Sequence, residues 1–152
     1  MAAKYNRKSW RMKSVKLKIA HNAYLEDTLF EAVITACAVV AFVDGQVDAL
    51  EREEIIRFVE RSPDLSTYTM TETRDAFESR IHEFQLVGGA FEAVLASVCR
   101  VQDSLGAHIV ICAAENVAVA DGCMQPSERT ALELIRLTAA PQMASARAPG
   151  PA

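Results

Sequence analysis

The segment 42-FVDGQVDALERE-53 spaces its carboxylates as a cation-binding loop does. From Asp44 it runs Asp-Gly-x-Val-Asp-x-x-Glu, the second half of an EF-hand loop. Asp44 stands at loop position 5, Gly45 at the turn, Val47 at the buried aliphatic position and Asp48 at position 9, with Glu51 in the place of the bidentate carboxylate. The first half is missing. Loop positions 1 and 3 fall on Val40 and Phe42, inside the apolar run 32-AVITACAVVAFV-43. Asp44, one backbone carbonyl, Asp48 and Glu51 fall short of the roughly six to eight oxygens a calcium ion takes. The segment is not an EF-hand.

The same half-pattern occurs twice. The stretch 38-AVVAFVDGQVDALEREEIIRF-58 aligns with 115-ENVAVADGCMQPSERTALELI-135 at a constant offset of 77 residues. Asp44 matches Asp121, Gly45 matches Gly122, Val47 matches Met124, Glu51 matches Glu128 and Ile55 matches Leu132. Gln125 stands in the second copy where Asp48 stands in the first. A fold that joined the two corners would pool Asp44, Asp48, Glu51, Asp121 and Glu128, enough oxygen for a divalent cation such as calcium, magnesium or zinc. A fold that kept them apart would leave the same residues as helix caps, worth about 0.5–2 kcal/mol each. Both readings stand at this point.

Other chemistry has weaker support. The chain has no phosphate-binding glycine loop, no nucleophile elbow and no HExxH. His21, His82 and His108 lack ligand spacing, and His108 reads as a core histidine in an apolar helix. Cys37, Cys99, Cys112 and Cys123 lack zinc spacing and read as reduced thiols, only Cys123 lying in a corner. No activating cation neighbours it. A non-enzyme is therefore expected; the alternative is a small hydrolase or redox protein working through the acids or Cys123.

The elements that must position these residues read as helices throughout. Gly45 and Gly122 suit the left-handed turn that ends a helix. Asp48 with Glu51 three residues on has capping-box spacing, and Pro126 with Glu128 marks the start of the matching helix. Ile55, Ile56, Phe58 and Val59 make an apolar face before Ser62-Pro63. Thr69 with Glu72 caps a middle helix bearing Met70, Phe77, Ile81 and Phe84 on one face. A further helix is predicted over 87–104, turning Phe91, Val94, Leu95, Val98 and Val101 inward, followed by 107-AHIVICAAENVAVA-120. The expected fold is all-α: one domain of about six or seven helices over residues 25–140, built on a duplicated helix–Asp-Gly turn–helix unit. Residues 1–24 form a basic arm and 141–152 a disordered Pro/Ala/Gly tail.

Charge is unevenly laid out. The segment before Glu26 carries seven basic residues and no acid, while the rest has a net charge of −11. The acidic body argues against a nucleic-acid partner. In the arm, 7-RKSWRMKSVKLKIA-20 mixes Trp10, Met12, Val15, Leu17 and Ile19 with cations, so it suits an anionic membrane surface, a partner, or the domain's own acidic face. Basic residues interrupt the first 18 residues, so no signal peptide is read. A cytoplasmic protein is expected, peripheral to the inner membrane if the arm docks there.

The twofold helix–Asp-Gly–helix unit, its spacing, and the middle helix 74-RDAFESRIHEF-84 together resemble the tellurite-resistance TerB family over roughly Leu25 to Leu137. That resemblance implies a compact all-α domain with pseudo-symmetric halves and an acidic cluster. It also implies a stress-response role linked to tellurite resistance, a cytoplasmic scaffold that docks on a membrane protein of the TerC type, and a metal site in the cluster.

Overall fold

Residues Arg7–Phe42 contain neither glycine nor proline, and they form one unbroken helix, α1. The computed structural model describes residues 7–101 and 103–144, with side chains over 25–101 and 103–141. The stretch 15–20, the one segment with strand-like alternation, lies within α1. After α1 come α2 (Ala49–Arg61), a 3₁₀ turn (Pro63–Leu65), α3 (Met70–Val87), α4 (Ala90–Cys99), α5 (Ser104–Ala118) and α6 (Pro126–Ala144). Among the described residues the fold is all-helical, as expected, with six α-helices and no strand.

Local chemistry sets most of the boundaries. Asp48 and Glu51 close a reciprocal capping box at the start of α2, and Thr69 and Glu72 do the same for α3. Asp103 caps α5 by accepting from the Gly106 N–H. Gly88 and Gly89 separate α3 from α4, with φ of +76° and +71°. Only glycine takes such angles at low cost, so the chain turns there. The helix predicted over 87–104 is shorter at both ends: Val87 ends α3, α4 runs from Ala90 to Cys99, and Ser104 opens α5.

The inward face of α4 is narrower than predicted. Val94, Val98 and Val101 are buried as expected, but Phe91 and Leu95 are 42% and 41% exposed. Met70, in the first turn of α3, is exposed too, while Phe77, Ile81 and Phe84 are buried. At the C-terminus α6 runs through Pro141 to Ala144, past the expected start of the tail. A proline in a last turn forfeits a single hydrogen bond, which the helix tolerates better there than mid-length. Residues 145–152, and the side chains of the arm, lie outside the described residues.

The core joins the two repeats rather than filling each separately. α1 and α5, the first helices of the two units, pack against each other along buried alanines and valines. Ala36, Val40 and Ala41 of α1 are buried, as are their equivalents Ala113, Val117 and Ala118 of α5. The second helices cross over: α2 leans on α5 more than on α1, and α6 touches both α5 and α1. Ile55 of α2 and its counterpart Leu132 of α6 are fully buried there, each worth roughly 1.5–3 kcal/mol. With α2 on α5, and α6 mainly on α5 but also on α1, the two Asp-Gly corners come close enough for their acids to interact.

Candidate functional site

Each corner is built the same way, atom for atom over most of its length. Gly45 and Gly122 have φ of +85° and +86°, and their N–H groups donate to Phe42 O and Val119 O at 2.9 Å in both cases. One residue earlier, the aspartate folds onto the turn: Asp44 Oδ1 accepts from the Gln46 N–H and Asp121 Oδ1 from the Cys123 N–H, each at 2.9 Å. The glutamate closes the next helix. Glu51 Oε2 accepts from the Asp48 N–H at 2.8 Å and Glu128 Oε2 from the Gln125 N–H at 2.7 Å. The duplicated sequence pattern is therefore a duplicated hydrogen-bond pattern.

The copies part at Asp48. Its Oδ1 accepts from the Glu51 N–H at 2.9 Å, completing the box, whereas Gln125 makes no such bond among the described residues. Arg52 reinforces the first corner alone, donating from Nη1 to Val47 O at 2.7 Å while pairing with Glu78.

Burial grades the five carboxylates. Asp44 and Asp121 are exposed, Asp48 is half-buried, and Glu51 and Glu128 are each only 3% exposed. Burial pushes the Glu51 carboxyl up to about 7; the bond from Asp48 N–H opposes this, and the charges of Asp48, Asp44 and Glu128 add to it. Glu128 is raised as well, first by burial and then by Asp44, Asp121 and Asp48. These couplings cross between the corners, so all five acids named from the sequence share one electrostatic neighbourhood.

Among the described residues none of the five takes part in an ion pair, although Glu31, Glu54, Glu78, Glu83, Glu115 and Glu133 all do. Two buried carboxylates beside three more acids are costly at neutral pH. The five gather without converging: among the described residues no three His, Cys, Asp or Glu side chains already stand as a metal-ligand set. One oxygen of each is held by a backbone N–H, which leaves the other without a protein hydrogen bond among the described residues. The donor chemistry fits a hard cation, since every group in the set is a carboxylate oxygen.

The remaining candidates lie elsewhere. His108 is exposed rather than in the core, and its Nε2 is 3.6 Å from Cys112 Sγ. The inward face of α5 is Ala107, Val110, Ile111 and Ala114, which turns residue 108 outward. Cys123 is exposed in the second corner, while Cys37 is fully buried and burial drives its thiol far up. A groove of about 240 Å³ lies at the α4–α5 corner, and none of the five carboxylates lines it. The sequence offered no motif for that groove.

A family model described as tellurite resistance protein TerB matches residues 30–140. No curated protein and no solved structure matches the chain.

Proposed function

The chain belongs to the TerB family, and from that membership and the paired corners we propose that it is a stress-associated binding module, without catalytic activity, whose acidic corners hold one divalent cation. The observation that carries this reading is the pooling of Asp44, Asp48, Glu51, Asp121 and Glu128, none of them in an ion pair among the described residues. Glu51 and Glu128 would supply the buried oxygens, and Asp44, Asp48 and Asp121 the rim. A bound cation would turn mutual repulsion into shared attraction and so lock the α1–α2 and α5–α6 corners together. Calcium or magnesium suits an all-oxygen set; zinc would favour nitrogen or sulfur, and the second corner carries one such group, the exposed Cys123 thiol.

The role follows from the coupling. A module whose two halves tighten on a cation can present one surface when loaded and another when empty, and so dock conditionally on a protein partner. A TerC-like membrane protein is the partner proposed, in keeping with the family's link to tellurite resistance. No helix among the described residues is long and apolar enough to cross a membrane.

Calorimetric titration of calcium, magnesium and zinc into chelator-treated protein tests the site. One ion per chain is expected, with binding lost in Asp44→Asn, in Asp121→Asn and in the double variant, since each removes a carboxylate from one shared site. Binding that survives either single substitution unchanged would separate the corners and sink the proposal.

A further inference from the structure

Two recesses adjoin at the α4–α5 corner. The larger, of about 240 Å³, takes much of its lining from Leu25 and Leu29 of α1 with Val101, Leu105 and Ile109. The smaller, of about 190 Å³, shares Thr28 and Arg100 with it and adds Asp27, Glu31 and Ser97. Leu25 and Leu105 are 40% and 62% exposed, so aliphatic surface is left open to an occupant.

The same recesses are acidic. Glu26, Asp64 and Asp103 line the larger one against a single base, Arg100, and none of these four is in an ion pair among the described residues. Asp103 spends one oxygen on the Gly106 N–H, and across the junction Asp27 accepts from the Tyr68 hydroxyl. Glu31 is already matched by Arg80 at 2.7 Å. With Glu31 set aside, the acids still outnumber Arg100, and they are spread over both recesses. A bare metal ion would satisfy carboxylates and leave the leucines in water. A cation whose charge is distributed along an aliphatic chain meets both features: its methylenes cover apolar surface while its ammonium groups reach the acids, as a lysine side chain does on a protein surface. The size agrees, since 240 Å³ lies below the roughly 300 Å³ at which pockets for drug-sized ligands begin.

We infer that the two recesses form a binding site for a small aliphatic polyamine. Its methylene segments lie on Leu25, Leu29 and Leu105, and its ammonium groups pair with Glu26, Asp64 and Asp103 in the larger recess and with Asp27 in the smaller. Arg100, at the junction, opposes the ligand and limits its affinity. None of the five corner carboxylates lines either recess, so the site does not depend on a cation there.

Calorimetric titration of spermidine into the full, chelator-treated chain at about 0.15 M salt tests the assignment. One spermidine per chain is expected. Glu26→Gln/Asp64→Asn should weaken binding by roughly 10-fold. Glu53→Gln/Glu60→Gln removes the same charge from exposed positions on α2 and should leave the affinity within about twofold. Arg100→Ala should tighten binding several-fold, and Leu105→Ser, which alters no charge, should weaken it; circular dichroism verifies that each variant is folded. Absence of saturable binding overturns the proposal, and so does equal weakening by the two carboxylate variants, the mark of a diffuse charge effect. Affinity unmoved by both Arg100→Ala and Leu105→Ser overturns it as well. Binding that survives Glu26→Gln/Asp64→Asn and is displaced by calcium would place the amine in the acidic corners instead, against this proposal.

Discussion

Replacing Glu51 with glutamine keeps the carbonyl oxygen that accepts the Asp48 N–H, now 2.8 Å from Glu51 Oε2, and removes only the ability to ionise. The consequence depends on pH in a direction the structure fixes. The Glu51 carboxyl lies at about 7 in the fold against an ordinary 4.5, so between those values the folded chain binds more protons than the unfolded one. Stability contributed by the protonated group is then complete below about 4.5 and is lost as pH rises through about 7. One pKa unit is worth about 1.4 kcal/mol, so the full loss is on the order of 3 kcal/mol for this nearly inaccessible group. Glutamine escapes that loss. Thermal unfolding in chelator, followed by circular dichroism from pH 5 to 8.5, should place Glu51→Gln close to the unaltered protein at the acid end. At the alkaline end the variant should be more stable by about 2–3 kcal/mol, roughly 10 °C in Tm for a domain this size. A stability difference that stays constant across the range would refute the reasoning, and so would one that moves against the variant as pH rises.

Three other perturbations bear on the same architecture. Gln125→Asp restores the missing cap of α6 while adding a sixth acid to the corners; it should raise stability by about 1 kcal/mol in saturating calcium but give little or no gain in chelator, as read by urea unfolding. Gly45→Ala and Gly122→Ala put a Cβ into open space, so each should cost only the left-handed backbone penalty of about 1–2 kcal/mol, equally in the two copies. Thiol labelling with a chromogenic disulfide should modify the exposed Cys99 and Cys123 first and Cys112 more slowly, with Cys37 reacting only on unfolding.

The corners were legible because they are local. A capping box is set by residues three apart, and the offset of 77 between copies returns the same turn, the same left-handed glycine and the same glutamate bond. Their meeting is not local. It comes from α1 packing on α5 and α2 leaning on α5, contacts between residues far apart in sequence that a repeat pattern suggests without placing. Where the reading of faces failed, the apolar residues outnumbered the buried positions. The face predicted from Phe91 to Val101 was too broad: α4 is only ten residues long and buries the narrow line of Val94, Ser97 and Val98, leaving Phe91 and Leu95 partly outside. His108 went the same way for a different reason: α5 is so rich in alanine and valine that its outward line through His108, Cys112 and Glu115 is hard to tell from its inward one. The groove at the α4–α5 corner joins residues from α1, the 3₁₀ turn and α5, and no single stretch of sequence announces it.

Carboxyl-resolved NMR titration of Glu51 in the full chain, in chelator and then in saturating calcium, bears most directly on one cation shared by two corners. In chelator Glu51 is expected to titrate near 7, and Asp121→Asn should ease Glu128 downward from across the turn. With calcium both glutamates should fall to the ordinary carboxylate range or below, because the bound ion favours their charged forms. Titration of Glu51 near 4.5 in chelator, or a midpoint that calcium leaves in place, would contradict it.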